Sequence, residues 1–555
     1  MKSNGARGFS RAIVCAVALA AVPALTAQQA PPLVTSGNVA RVDAVFAKYN
    51  AATPGCAVGV AEHGTPTLTK GYGSADLEHD VRITPDTIFE AGSVSKQFTA
   101  ASILLLARDG KLSIDDPTRK YVPELPDYGK PLTIRHMLNH TSGLRDWGSV
   151  AAIGGWPRGT RAHTHANVLE IVSRQESLNF PQGSRWSYTN TGFNLAAIIV
   201  ERVSGRSFQD FTRERLFAPL GMTHTSWRDD YTRVVKGRAI AYEQNGGEFR
   251  TDMPFENVYG NGGLLTTVGD LLKWNENFSK PVVGDAAFVQ LQQQAGKFND
   301  GRPHGYAFGL MLEKHNGNRE VAHSGSTGGY SAFLTRFPDR QLSIAVLCNV
   351  ATNATKLAHD VADVYLPAAP ASAKPAYTVT LDERRAVAGA YRRLDIGNVW
   401  KLTLGDGPGL RLENGPELMP VSARTYADGD NRFVFDGAGA LTVTDQYGTI
   451  DRFERVAAVN PASTELRAYA GTYASHDADV EMTARVDGDK LVLWRRPNTT
   501  LPLTPLYADA FRAQGLGTVI FRRDASGSVV EFSVVQDRVW NMPFRRLIAS
   551  SESRP

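Results

Sequence analysis

A serine and a lysine three positions apart, Ser93 and Lys96, are the residues of this chain best suited to do chemistry. Apolar residues follow them as far as position 107, so the pattern predicts a buried helix with Ser93 in its first turn. The hydroxyl and the amine would then share one helix face, where a desolvated lysine can take the proton of a serine nucleophile. A polar helix start with a solvated lysine would have the same spacing, so the interpretation needs support from elsewhere in the chain.

The loop at 184–192, which leads into a predicted helix, holds two polar residues that could assist the serine. Tyr188 could be a second acid or base if a nearby Lys96 ammonium lowers its pKa. Asn190 could bind a substrate amide. Taken alone, Tyr188 could equally be a half-buried structural anchor.

A glycine-rich strand and turn at 322–330 supplies a third group of candidates. Gly325 would let a substrate backbone approach closely, and the Ser326 N–H could complete an oxyanion hole with the N–H of Ser93. His323 is either a functional residue or a core histidine whose hydrogen bonds are satisfied within the protein.

Length and composition describe a globular protein of several domains, with 555 residues, 42% of them hydrophobic and 21% charged. Basic residues at 2, 7 and 11 and an apolar run at 12–25 predict a signal peptide at 1–27, with an uncleaved anchor as the alternative. That run is shorter than the roughly 20 residues of a membrane span. We therefore expect a periplasmic or secreted protein. Its net charge after cleavage, about +1 instead of +4, gives no reason to expect nucleic acid or a membrane as partner.

The order of elements predicts an α/β fold. A strand hairpin and the Ser93 helix come first, helical patterns extend to about residue 300, and strands beginning with 306–312 follow, before a last helix. This order describes an antiparallel sheet flanked by helices, with an inserted helical subdomain and an active site between the two parts. We assign this domain to residues 36–366.

A linker rich in alanine and proline follows at 367–377, and the chain then changes to short alternating strands. The Gly-Ala-Tyr run at 389–391 recurs as Gly-Thr-Tyr at 471–473. This and similar echoes, 82 to 88 residues apart, imply two copies of a small all-β unit, at 378–457 and 462–549.

Two cysteines remain after signal removal, Cys56 and Cys348, each in an apolar run typical of a strand. We expect two buried thiols. A disulfide would require the two strands to be neighbours in an oxidising compartment.

Taken in order, the three groups of candidates resemble the motifs of the penicillin-recognising serine hydrolases. The matching runs are Ser-Val-Ser-Lys at 93–96, Tyr-Thr-Asn at 188–190 and His-Ser-Gly at 323–325; His-Thr-Ser-Gly-Leu at 140–144 and Gly-Gly-Leu-Leu-Thr-Thr at 262–267 are also typical. The most similar branch contains class C β-lactamases, D,D-peptidases, D-aminopeptidases and related esterases. The resemblance covers residues 36–366 and implies the β-lactamase/penicillin-binding-protein fold.

By this resemblance Ser93 is acylated, Lys96 and Tyr188 move the protons, and water hydrolyses the acyl-enzyme. The residues that would bind the substrate or its oxyanion are Asn190, His323, Gly325 and Ser326. No metal or organic cofactor is implied, and the alternating histidines at 163 and 165 have no third ligand nearby in the sequence.

His323 stands where β-lactamases have lysine, and near neutral pH a histidine would hold only part of that charge, which disfavours a β-lactamase. We expect an enzyme that cleaves an amide or peptide bond in a D-amino-acid-containing substrate, a small molecule or a peptide. A carboxylesterase and a D,D-carboxypeptidase are alternatives on the same fold. A binding or scaffold protein with an inert hydrolase fold is the non-enzyme alternative. The oligomeric state stays open.

The two β units look like the paired lipocalin-like units that follow the catalytic domain in D-aminopeptidase. In that relative a loop from the last unit reaches the active site and shapes specificity. Residues 507–511 are one candidate for such a loop here, and a plain surface connection is the alternative.

Overall fold

The computed structural model describes residues 36–367, 377–405, 407–413 and 415–547. The predicted signal peptide and most of the predicted linker lie outside the described residues. Within them, no helix combines the length and the apolar character that crossing a membrane requires.

Six antiparallel strands form the central sheet of the first domain. They are β1 (Cys56–Glu62), β2 (Thr65–Tyr72), β3 (Met311–His315), β4 (Asn318–Thr327), β5 (Tyr330–Phe337) and β6 (Leu342–Cys348). Their order in the sheet is β3-β4-β5-β6-β1-β2. The predicted antiparallel sheet is therefore confirmed, and the long insertion lies between β2 and β3.

Helices make up most of the remaining regular structure of this domain. The α-helices of the described residues are α1 (Ser36–Val45), α2 (Lys96–Arg108), α3 (Ile134–Leu138), α4 (Trp147–Ile153), α5 (His165–Ser173), α6 (Thr191–Ser204), α7 (Phe208–Thr212), α8 (Val268–Glu276), α9 (Ala286–Gln292), α10 (Ala354–Tyr365), α11 (Leu381–Val387) and α12 (Ser463–Leu466). Short strands pair within the insertion and beside it: Ser74–Asp76 with Val81–Arg82, His163–Thr164 with Glu256–Asn257, Tyr242–Asn245 with Glu248–Thr251, Gly296–Lys297 with Pro303–His304, and Leu264–Thr266 between Phe89–Glu90 and Ser226–Trp227.

Helices cover both faces of the sheet, which is why every residue of β1 is buried. On one face, Val42 of α1 and Val361 of α10 share a buried cluster with Val58 of β1. On the other face, α8 packs against β1 so closely that a methyl group on Gly59 would lie 3.0 Å from Leu272 Cδ1. Burial on both faces accounts for the continuous apolar run in the sequence.

Cys56 and Cys348 face each other in the β1–β6 pair and are joined by a disulfide. The expectation of two free buried thiols is therefore wrong. The cysteines are 292 residues apart in the sequence, and only the return of the chain after the insertion makes their strands neighbours.

Two closed eight-stranded barrels follow the first domain, which confirms the predicted pair of all-β units. The first contains β7 (Gly389–Arg393), β8 (Val399–Leu404), β9 (Leu410–Leu412), β10 (Glu417–Ser422), β11 (Thr425–Asp428), β12 (Asn431–Phe435), β13 (Ala440–Thr444) and β14 (Ile450–Val456). The second contains β15 (Gly471–Ser475), β16 (Val480–Asp487), β17 (Lys490–Arg495), β18 (Thr499–Tyr507), β19 (Ala510–Ala513), β20 (Gly517–Arg523), β21 (Val529–Gln536) and β22 (Val539–Arg546).

The repeated Gly-x-Tyr run has the same physical role in both barrels. Tyr391 and Tyr473 each donate a 2.8 Å hydrogen bond to the carbonyl four residues earlier, which closes the start of the barrel. The glycine two residues before each tyrosine leaves room for an arginine, because a methyl group there would lie 2.8 Å from the arginine Nε. The glycine and tyrosine that the two units share therefore lie at the start of each barrel.

Candidate active site

Ser93 lies in a tight helical turn that leads directly into α2. Gly92 has φ +50°, and a methyl group there would lie 2.5 Å from the Ser326 nitrogen, so the turn and β4 approach each other across a glycine. Ser95 holds the turn in place: its hydroxyl donates to Gly92 O at 2.5 Å and accepts from Leu264 N at 3.1 Å.

Lys96 is completely buried one turn after Ser93, as the spacing predicts. Its Nζ lies 3.0 Å from Ser93 Oγ, 2.9 Å from Asn190 Oδ1 and 2.7 Å from the Asn261 carbonyl oxygen. Burial lowers the pKa of Lys96 well below its usual value, and the positive charge of Arg538 lowers it further. A neutral amine donates to the two asparagine oxygens and leaves its lone pair directed at the serine hydroxyl.

Tyr188 contacts both Lys96 and Ser93. Its ring centroid is 4.8 Å from Lys96 Nζ, and its hydroxyl is hydrogen-bonded to Ser93. Burial raises the pKa of Tyr188 above its ordinary value, although the Ser93 hydrogen bond opposes the shift. The sequence expectation of a lowered pKa is wrong, because burial of the phenol outweighs the Ser93 hydrogen bond and the positive charge of Arg538. Tyr188 therefore stays protonated near neutral pH and can donate a proton.

Asn190 begins α6, and its position is fixed through its backbone. The Asn190 N–H donates to Asp146 Oδ2 at 2.7 Å, while Asp146 Oδ1 accepts from Ser149 N at 3.1 Å at the start of α4. The Asn190 side chain is thus held against Lys96 by two helix starts that share one carboxylate.

Gly325 and Ser326 bring β4 alongside the nucleophile turn. A methyl group on Gly325 would collide with the Ala91 carbonyl oxygen and lie 3.0 Å from the Ser93 nitrogen. Glycine at this position therefore allows the Ser93 and Ser326 backbones to face one cavity, as an oxyanion hole requires.

His323 lies behind this wall and does not line the cavity among the described residues. Its Nδ1 is 2.6 Å from the Ser324 carbonyl oxygen and must carry the proton, so Nε2 accepts from the Tyr306 hydroxyl at 2.9 Å. Burial lowers the pKa of His323 to about 3. The expectation of a partial positive charge near neutral pH is therefore wrong, and His323 supports β4 as a neutral residue.

The cavity above these residues has a volume of about 480 Å³. Predicted residues that line it are Ser93, Tyr188, Asn190, Gly325 and Ser326. A larger cavity of about 760 Å³, beside Phe278 and Arg336, contains none of the predicted site residues. Size alone would therefore select the wrong site, and the clustered side chains identify the smaller cavity. The histidines at 163 and 165 bind separate backbone carbonyls.

Two arginines that the sequence interpretation missed also line the cavity, Arg158 and Arg538. Arg538 belongs to the two-residue turn between β21 and β22 of the second barrel, and its guanidinium carbon is 4.9 Å from the Tyr188 ring centroid. The candidate loop at 507–511 does not line the cavity among the described residues, which favours the alternative of a connection away from the site: Tyr507 packs on the first barrel and donates to Gly397 O at 2.8 Å.

The Arg538 turn is attached to the first domain through its backbone. Its carbonyl oxygen accepts hydrogen bonds from Asp146 N at 3.2 Å and Asn179 Nδ2 at 3.0 Å. Asn179 also accepts from Trp540 N at 2.8 Å through its side-chain oxygen. The second barrel is therefore fixed at the rim of the cavity.

An ion pair between Arg145 and Asp477 stabilises this contact, with both side chains only 1% exposed. We expect Asp477→Ala to lower the free energy of unfolding by about 3–5 kcal/mol, because it leaves the buried arginine charge without its carboxylate. Asp479→Asn, two residues further along, removes a charge that is 63% exposed, keeps a side chain that tolerates the positive φ there, and should change stability by no more than about 0.5 kcal/mol. Denaturant unfolding of both variants measures this, and equal small losses would contradict the prediction.

Comparison with known proteins agrees with this geometry. The family model described as Beta-lactamase matches residues 42–366. A D-aminopeptidase from Brucella canis is 29% identical over 382 residues, which span 67% of this chain and 71% of the relative.

Solved structures share the fold. An octameric penicillin-binding protein homologue from Pyrococcus abyssi has a TM-score of 0.54 and 23% identity, covering 76% of this chain and 98% of its own. D-amino acid amidase from Ochrobactrum anthropi SV3 has a TM-score of 0.51 and 20% identity, and the match covers 60% of this chain and 99% of the amidase. Because the family match spans more than half of the chain and includes the whole cavity wall built by the first domain, the chain belongs to the beta-lactamase family and is a serine hydrolase of that fold.

Proposed function

We propose that the protein hydrolyses an amide or peptide bond of a D-amino-acid-containing substrate through an acyl-enzyme at Ser93. The observation that carries this proposal is the 3.0 Å contact between Lys96 Nζ and Ser93 Oγ, made by a lysine whose pKa is lowered by burial. The D-aminopeptidase name of the relative supports a bond next to a D-residue. The intact cluster argues against an inert scaffold.

In the first half of the reaction, Ser93 Oγ attacks the substrate carbonyl carbon while its proton passes to Lys96 Nζ. The carbonyl oxygen becomes an oxyanion and is held by the backbone N–H groups of Ser93 and Ser326. Tyr188 donates its proton to the leaving nitrogen as the C–N bond breaks, and the proton that Lys96 took from Ser93 then returns to the Tyr188 oxygen.

In the second half, water enters the place of the leaving amine. Its proton returns to the Tyr188 and Lys96 pair as its oxygen bonds to the acyl carbon. Breaking the ester bond releases the carboxylic acid and restores the Ser93 hydroxyl. The same residues therefore serve both halves.

We also propose that the protein works in the periplasm or outside the cell. The basic and apolar pattern at 1–27 supports export. The Cys56–Cys348 disulfide gives independent support, because such bonds persist in oxidising compartments.

Intact-mass analysis after exposure to a fluorophosphonate tests the mechanism, with one covalent adduct expected, on Ser93. Turnover of D-alanine amides, D-Ala-D-Ala peptides and short-chain esters then tests the substrate class, and a parallel penicillin incubation tests β-lactam acceptance. Absence of an adduct would favour the inert scaffold. Turnover of esters without any amide would replace the proposal with a carboxylesterase.

A further inference from the structure

Most charged groups around the catalytic cavity are paired within the protein. Arg158 donates two hydrogen bonds to Glu256, one of them at 2.7 Å, so its charge is already balanced. Asp146 is buried below the cavity, where its carboxylate accepts from Asn190 N and Ser149 N. No acidic side chain lines the cavity among the described residues.

Arg538 differs from these groups. Its guanidinium lines the cavity, yet in the described part of the chain it has no carboxylate within 4.0 Å and no side-chain hydrogen bond. The neighbouring Asp537 is exposed and lines a different cavity. A half-buried arginine without such partners can use its coplanar N–H groups to bind a carboxylate.

Docking of the barrel does not account for this side chain. The two hydrogen bonds at position 538 are accepted by the backbone carbonyl, which any residue would supply. They hold the turn at the rim of the cavity, so the guanidinium is presented at a fixed place beside Tyr188. Beyond this contact with the Tyr188 ring the guanidinium has no ion pair or hydrogen bond among the described residues, which points to a ligand.

We infer that Arg538 is a specificity-determining residue that binds a carboxylate of the substrate. The enzyme then prefers anionic D-amino-acid-containing substrates to those with a free ammonium group near the scissile bond. This inference rests on the proposed function and names its substrate class. A substrate ammonium would meet the Arg538 charge and no lining carboxylate.

Matched substrates test the preference on each side of the scissile bond. On the acyl side, succinyl-D-alanine p-nitroanilide is compared with the neutral acetyl compound and with the free amine. On the leaving side, acetyl-D-Ala-D-Ala is compared with its C-terminal amide. We expect at least one carboxylate substrate to exceed its neutral partner about tenfold or more in kcat/KM, as a charge-assisted contact predicts.

Substitutions of Arg538 show whether the preference depends on its guanidinium. In Arg538→Gln the ratio should fall to within about twofold of one, and Arg538→Lys should restore part of it. Arg522→Gln removes a guanidinium that is 62% exposed elsewhere on the same barrel and should leave the ratio unchanged. Because both substrates of a pair use the same base, any effect of position 538 on Lys96 cancels in the ratio.

The outcomes separate this inference from the proposed function. A ratio near one for both pairs in the wild type, a preference for the free amine, or an unchanged ratio in Arg538→Gln would overturn the carboxylate role alone. Absence of both turnover and a fluorophosphonate adduct in the wild type would overturn the proposed function, and this inference with it.

Discussion

Replacing Ser93 with alanine should reduce turnover on the order of 10⁵-fold or more, which is the scale of losing a serine nucleophile. Among the described residues the hydroxyl is hydrogen-bonded only to the proton-transfer groups Lys96 and Tyr188, so the fold should not change. Steady-state kinetics on succinyl-D-alanine p-nitroanilide measures the loss of turnover, and thermal unfolding measures the stability. Intact-mass analysis should show no fluorophosphonate adduct. An adduct that still forms in Ser93→Ala would place the nucleophile elsewhere.

Ser95, two residues further along the same turn, offers a matched control. It is buried, and Ser95→Ala removes its bonds to Gly92 O and Leu264 N. We expect this variant to lose about 1–3 kcal/mol of stability, because a buried N–H is left without its partner. It should still be labelled at Ser93. The two serines thus separate a chemical role from a structural one.

Replacing Lys96 with alanine should slow acylation by at least about 100-fold, the lower end of what a positioned base contributes. In the wild type, the acylation rate should rise with pH as the ammonium loses its proton, and because the pKa of Lys96 is lowered the rise should be complete well below pH 10.5. Rapid-quench measurement of acyl-enzyme formation across pH tests both points. A normal rate in Lys96→Ala would exclude lysine as the base.

Lys96→Met fills the same space without the amine, and it tests how much stability the burial of the amine costs. Folding lowers the pKa of Lys96, so the unfolded chain binds the extra proton and wild-type stability rises with pH between the lowered value and about 10.5. Below that window the wild type bears the full cost of burying the group. Lys96→Met should therefore be more stable than the wild type near neutral pH, although it is inactive.

The local part of the site could be predicted from the sequence. The spacing of Ser93 and Lys96 sets their shared helix face, and the helix packs as its apolar run predicts. Glycine at 325 indicates a close approach of another segment, and the nucleophile turn lies there. The repeated Gly-x-Tyr run predicts two similar units because each tyrosine closes its own barrel.

What the sequence could not supply depends on contacts between distant segments. Arg538 lies in an ordinary hairpin turn, and only the docking of the barrel brings it to Tyr188. The strand predicted at 306–312 starts instead at Met311, because Gly309 lies at φ +76° against the backbone of α2. That irregular segment also places the Tyr306 hydroxyl on His323. The direction of each pKa shift likewise follows from burial, which no motif encodes.

The disulfide between Cys56 and Cys348 has a consequence for how proteolytic damage to the enzyme is detected. It encloses a covalent ring that contains the nucleophile, the base and the tyrosine, while Arg538 lies outside it. A protease that nicks an exposed loop within the ring would leave both fragments tethered. Damaged molecules would then migrate with intact ones on a denaturing gel, and only added reductant would separate the pieces.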